Sequence, residues 1–196
     1  MTSSPPRSGI VLAGTVVLDI VHMIDGWPAE EQIAFIRQTI EAPGGPPHNA
    51  AAGLVKLGAA FPVTLKCLVG DDVAGETFTR IAGDLGLDTA QVIRVPGQTT
   101  DVTHVMTSKA TGRRTFFFHP GANNTMTAEQ MLPPDDRGKI YYLGSPGISA
   151  SMDASDGWRT ALRMARARGY RTAMELCPVP AELQRTQTRP CLPLLD

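Results

Sequence analysis

Three short stretches of this chain hold residue types able to bind or act on a small polar molecule. They are Asp19, just after an apolar run that closes at Gly14; Gly44-Gly45-Pro46-Pro47-His48-Asn49, directly before a small-residue helical pattern; and Asp71-Asp72, after a second apolar run. A carboxylate at a strand end can accept hydrogen bonds from two neighbouring hydroxyls, or serve only a turn or a cap. Gly44 and Gly45 let backbone approach a ligand with no Cβ in the way, while Pro46 and Pro47 stiffen the same loop. Asn49 stands at the start of the helical pattern. There its side chain either caps free N–H groups or offers an amide to a hydroxyl-rich ligand. His48 has no neighbour in sequence to orient it as a base and reads as a packing or surface residue. Asp71-Asp72 reads first as a helix start, where negative charge complements the helix dipole.

The elements that must position these residues follow from hydrophobic periodicity. Ile10 to Ala13 predicts a buried strand, and apolar residues resume from Val16 to Val21. Ile33 to Ile40 predicts a strand, Asn49 to Leu57 a helix ended by Gly58, and Val63 to Val69 the next buried strand. Phe78, Ile81, Ala82 and Leu85 recur at helical spacing until Gly86. Between Val102 and Phe118 the pattern alternates, with a turn over Lys109 to Arg113, as in a β-hairpin with one solvated face. Lys139 to Leu143 predicts another strand. Trp158, Ala161, Leu162 and Ala165 mark one face of a helix whose arginines (159, 163, 166 and 168) form a solvated face, and Arg171 to Leu176 returns as a strand. Strands alternating with helices predict an α/β fold with a parallel, helix-covered sheet, to which the alternating segments add a smaller β layer. Ligands of such sheets sit beyond the carboxyl ends of the strands, where Asp19, the glycine-proline loop and Asp71-Asp72 all fall.

Composition narrows the function classes. The 196 residues are 42% hydrophobic and 19% charged, enough for one full-sized core in a soluble chain. A net charge of −1 with scattered basic residues leaves nucleic acid without an electrostatic footprint. No apolar run is long enough for a membrane span or a signal segment, and residues 1–8 read as a disordered leader. Cys67, Cys177 and Cys191 are an odd number without pair spacing, which points to a reducing, cytoplasmic compartment, and neither cysteines nor histidines have metal-ligand spacing.

In order and spacing, Gly14 to Asp19, Gly44 to Gly58, Val69 to Glu76, Gly112 to Phe116 and Gly121 to Asn123 together resemble the first part of the ribokinase (PfkB) family of sugar and nucleoside kinases. The resemblance runs from about residue 9 to residue 196. It implies a ribokinase-like parallel sheet covered by helices in domain 9–196, with a small β-sheet lid built from segments near 16–42 and 98–119. It further implies transfer of the γ-phosphoryl group of ATP to a sugar or nucleoside hydroxyl, with magnesium and a catalytic aspartate. Carried over by position, Asp19 binds sugar hydroxyls, Gly44 and Gly45 approach the sugar through backbone, and Asn49 bonds a hydroxyl.

The chain also departs from that pattern. The family's Asn-x-x-Glu segment for magnesium and phosphate, and its Gly-Ala-Gly-Asp turn carrying the catalytic aspartate, do not occur in these 196 residues. Ile81-Ala82-Gly83-Asp84 is the nearest look-alike, but it lies inside a helical pattern in the wrong half. The expectation is thus the substrate-binding and lid portion of a kinase, with the C-terminal part of the fold missing, no catalytic residue and no ATP or metal ligand of its own, inactive alone. The competing expectation is a non-catalytic sugar-binding or interaction module, and a third is a fragment that does not fold stably. Pro46-Pro47, and Val17 and Leu18 ahead of Asp19, differ from residues common in ribokinase-like members and argue against that specificity. An exposed lid edge offers strand pairing with a second lid, and so a homodimer.

Overall fold

The computed structural model describes residues 7–135, 137–144, 146–177 and 179–196. Most of the expected disordered leader lies outside them. Arg7 and Ser8 do not behave as leader: Arg7 Nη1 donates to Arg168 O at 2.7 Å and its guanidinium lies over the Tyr170 ring, while Ser8 N donates to Arg137 O.

The short apolar runs become the strands of a five-stranded parallel sheet. Ile10–Ala13 (β1) lies between Val63–Gly70 (β4) and Ile140–Leu143 (β8), with Val92–Val95 (β5) and Arg171–Met174 (β9) outermost, in the order β5-β4-β1-β8-β9. Alternate residues of β1 enter two separate cores. Leu12 packs with Leu65, Phe78 and Ala51 under the helices Pro46–Lys56 (α1) and Val73–Asp84 (α2), while Val11 and Ala13 pack with Tyr141, Leu143, Trp158 and Leu162 under Ala150–Asp153 (α3) and Gly157–Ala167 (α4). Burial on both faces explains why central β1 is wholly apolar, whereas β4 admits Thr64 and Lys66 and the outermost β5 and β9 carry Arg94 and Arg171.

The alternating segments form a second, mixed sheet of four strands, the small lid-like layer. Val17–Ile24 (β2) pairs antiparallel with Ile36–Gly44 (β3) and parallel with Val102–Ser108 (β6), which pairs antiparallel with Arg114–His119 (β7), giving β3-β2-β6-β7. The strand expected at Ile33 to Ile40 is shifted to Ile36–Gly44. Its extent is set by β2, whose ladder runs from Val17↔Gly44 to Ile24↔Ile36 and leaves Ile33 unpaired and exposed. Helix α1 starts at Pro46, three residues before the expected start, because proline's fixed φ and missing N–H suit the first helical position.

Candidate functional site

Asp19 sits near the beginning of β2, where the chain leaves the carboxyl edge of the large sheet. Register places it beside Ala42 of β3 and Thr103 of β6. A Cβ added to Gly44 would run into Asp19 Oδ2, so glycine at 44 is a steric condition for the carboxylate to lie where it does. Gly45 follows with φ 91°, and a Cβ there would meet Thr15 O at 2.5 Å and the Val16 Cα at 2.7 Å. Gly14, at φ 128°, would meet Gly144 N at 2.8 Å. Gly144 N in turn donates to Ala13 O. Backbone, not side chains, therefore forms the floor next to Asp19. Burial pushes the Asp19 carboxyl above its ordinary range, against the hydrogen bond from the Thr103 hydroxyl and the positive charge of Arg114.

The prolines decide what the floor can hold. Helix N-termini attract anions through their free N–H groups, but the first two residues of α1, Pro46 and Pro47, have none, and Gly45 supplies no side-chain cap. Asn49 N is already bonded to Gly45 O. The α2 N-terminus carries a carboxylate of its own: Asp72 accepts from Gly75 N at 2.9 Å, from Thr100 N at 2.9 Å and from Thr100 Oγ1 at 2.6 Å. Burial alone would raise the Asp72 pKa, but these hydrogen bonds outweigh it and hold the carboxyl below its ordinary range. Among the described residues no group of three or more His, Cys, Asp or Glu side chains converges as a metal site. The two helix N-termini thus offer few free N–H groups to a phosphate. Half-buried carboxylate, hydroxyl and open backbone suit a neutral, hydroxyl-rich ligand.

Reading Asp71-Asp72 as a helix start holds, with Asp72 as the N-cap. Reading Asn49 as a cap does not, since Gly45 is the N-cap and Asn49 stands inside the first turn. The Asn49 side chain is exposed, and among the described residues its Oδ1 pairs with His48 Nδ1 at 3.3 Å. It lines a groove of about 490 Å3 together with Ala42, Lys56 and Ile81. Its amide is thus available to a ligand, although the structure shows no bond from it to Asp19. His48 is a packing residue as expected: it is buried edge-on against Phe78, and burial lowers its pKa. A roomy cleft lined by Ile10, Leu54, Phe61 and Ile140 lies at the amino ends of the strands, at the opposite end of the sheet from Asp19.

Sequence reasoning missed the residues that aim the lid. Thr103 looked like one member of an alternating strand, and only cross-strand register reveals its place beside Asp19. Asp101 and Asn123 tie the lid root to the large sheet: Asn123 N donates to Asp101 Oδ2 at 2.9 Å, Asn123 Nδ2 to Val16 O at 2.7 Å, and Leu18 N to Asp101 O at 2.9 Å. Gly121 permits this crossing, because a Cβ there would run into Thr99 O. Glu175, just past β9, is held by Tyr142, whose hydroxyl donates to Glu175 Oε2 at 2.6 Å. Beyond Asp19 and Thr103 the same lid face carries Val21, Val105, Ile40, Phe116 and Phe118, an apolar shelf that Arg114 ends. The other face carries His22, which contacts Thr39 and His104, and Phe117, which packs on Trp27.

A parallel α/β sheet with a four-stranded second layer defines the fold, and a carboxylate is lodged on glycine backbone where the two layers meet. The comparisons with known proteins are specific. The profile of the pfkB family carbohydrate kinases matches residues 8–194, and the chain belongs to that family. It is 31% identical to fructokinase-1 of Zea mays over 147 residues, covering 74% of this chain and 43% of that protein, and 32% identical to fructokinase-1 of Oryza sativa subsp. japonica over 148 residues, covering 74% and 44%. The chain thus spans less than half the length of these curated relatives. In fold it matches the fructokinase with bound ATP from Xylella fastidiosa (TM-score 0.74, 22% identity, 96% of this chain and 56% of that one). It likewise matches the ribokinase from Thermotoga maritima (0.72, 20%, 97% and 58%).

Proposed function

We propose that this chain is the sugar-binding and lid portion of an ATP-dependent carbohydrate kinase, and that by itself it binds a sugar without phosphorylating it. The observation that carries the reading is the Asp19 carboxylate, half-buried against Gly44 with the Thr103 hydroxyl on it. In this reading Asp19 accepts hydrogen bonds from two sugar hydroxyls, Gly44 and Gly45 pass close to the ring, Asn49 bonds a further hydroxyl, and the apolar shelf of β6 and β7 covers the ring's carbon face. The relatives' names favour a ketohexose over a nucleoside. In this reading the chain supplies no catalytic base and no ligand to ATP or its magnesium. The buried Cys67 and Cys191 thiols fit a cytoplasmic setting, and no described helix is long and apolar enough to cross a membrane. The exposed outer strands of the lid suit pairing with a second copy.

Thermal shift tests the reading, with fructose, ribose and adenosine added to the parent chain and to Asp19→Asn, beside an assay of sugar-dependent ADP formation. We expect fructose to raise the parent's melting temperature, to leave the variant unmoved, and to yield no ADP. Because the folded state raises the Asp19 pKa, folding holds that proton more tightly than the unfolded chain does. The contribution of Asp19 to stability therefore falls as pH rises above the ordinary carboxylate range. At neutral pH the unliganded variant should melt above the parent. Equal ligand shifts in parent and variant, or turnover by the isolated chain, would contradict the proposal.

A further inference from the structure

β2 and β6 are the two central strands of the lid sheet, and alternation puts Asp19 and Thr103 on one of its faces and His22 and His104 on the other. The register pairs Ile20 with His104 and His22 with Met106, so the two histidines are diagonal neighbours on adjacent strands. Their rings bridge that diagonal. His22 Nε2 lies 3.1 Å from His104 Nδ1, the ring centroids are 5.4 Å apart and the ring planes differ by 5°. On the far side of the His22 ring, Nδ1 lies 3.1 Å from Thr39 Oγ1 of β3. The pair is 82 residues apart in sequence, so no spacing motif announces it.

Two ring nitrogens in contact share one proton, carried by one and accepted by the lone pair of the other. With His22 Nδ1–H donating to Thr39 Oγ1, the bare nitrogen of His22 is Nε2, and the shared proton sits on His104 Nδ1. We propose that a divalent transition ion that prefers imidazole, such as zinc, nickel or copper, takes the place of that proton and is chelated by His22 Nε2 and His104 Nδ1. Two nitrogens about 2.0–2.1 Å from one tetrahedral ion stand about 3.3–3.4 Å apart, close to the spacing already present. His104 is exposed and the χ2 torsion of histidine is broad, so its ring tilts until both lone pairs meet on the ion. Its proton moves to Nε2, giving the other neutral tautomer, and none is released. Thr39 holds the spare N–H of His22 and fixes that ring, as outer partners do for metal-binding histidines. Among the described residues no third His, Cys, Asp or Glu side chain converges there, so water completes the ion's shell. Magnesium demands oxygen ligands and does not suit the pair. A bound transition ion staples β2 to β6 on the face behind Asp19 and Thr103.

The experiment titrates Ni2+ and Mg2+ by calorimetry into the 196-residue chain, His22→Gln, His104→Gln, the double variant and a control, His119→Gln, which alters an exposed histidine of β7. Melting temperatures are measured alongside, and two single variants keep the test independent of the folding of either one. We expect one Ni2+ per parent chain, a raised melting temperature, and no response to Mg2+. Each single variant should bind Ni2+ about ten-fold more weakly or worse, because the second nitrogen of a chelate acts at high effective concentration. The double variant should lose the Ni2+-dependent rise in melting temperature, and His119→Gln should match the parent. Parent-like Ni2+ affinity in the double variant, a loss in His119→Gln equal to that in the single variants, or a parent that takes up no Ni2+ would overturn the proposal.

Discussion

The two sheets of this molecule meet water in opposite ways. In the five-stranded sheet β1 is buried on both faces, and Trp158, Tyr141 and Phe78 are closed off completely around it. In the four-stranded sheet every residue of β7, and Ile36 to Glu41 of β3, lie open to solvent, with Phe116, Phe117 and Phe118 between 42% and 58% exposed. The same contrast repeats in two aspartates at the boundary. Asp72 is satisfied by three donors that hold it ionised, whereas Asp19 is only partly satisfied and its pKa is pushed up. One sheet and its aspartate hold structure; the other sheet and its aspartate are the pair to which the proposed function assigns the sugar.

The largest test of that contrast is Trp158→Ala. Emptying the site of a fully buried indole, which donates to Asp153 Oδ1 at 2.8 Å, should destabilise the chain by about 3–5 kcal/mol, lowering the melting temperature by roughly 10 °C or more. A shift of a few degrees would mean that the α4 face contributes far less than its burial indicates. Next in size is Asp72→Ala, which removes a helix cap and leaves Thr100 N and Gly75 N without their acceptor. About 2 kcal/mol is expected, read as a fall of roughly 4–8 °C. Since the folded state lowers the Asp72 pKa, its stabilisation is present above the ordinary carboxylate range and is lost as pH falls through the lowered value. Parent and variant melting curves should therefore converge in acid, and a constant gap down to low pH would remove the ionic part of the argument. The smallest effect belongs to Phe117→Ser in the lid, within about 0.5 kcal/mol of the parent. A large loss there would show that the outer lid face is covered in solution.

Much of this was legible in residue pattern, for physical reasons that differ by element. Buried parallel strands announced themselves as short, mainly apolar runs, and the lid hairpin as alternation, since each signal depends on which faces are covered. The membership implied by the ordered glycine motifs from Gly14 to Asn123 is what the family comparison shows. What escaped was whatever depends on partners distant in sequence. The true extent of β3 is dictated by β2 across the ladder, Thr103 reaches Asp19 only through register, and Asp101 meets Asn123 only where two crossings of the chain coincide. The arginines of α4 were read as a solvated face. That describes Arg163, whose contact is the exposed Asp156, but misses Arg166 and its hold on Leu194 and Asp196. Of the two readings of Asn49, capping fails because a glycine with positive φ and two prolines start the helix without it.

The prolines at 46 and 47 have a thermodynamic consequence for anything that settles on the glycine floor. Each fixes a backbone torsion before a ligand arrives, so the ordering entropy of this wall is settled during folding. In the proposed sugar site, uptake should then leave the floor unchanged and draw its heat-capacity change from the shelf of β6 and β7, to the extent that the exposed phenylalanines lose water. The rigid half of the pocket would set which hydroxyl pattern is accepted, and the greasy half how strongly temperature tunes the affinity.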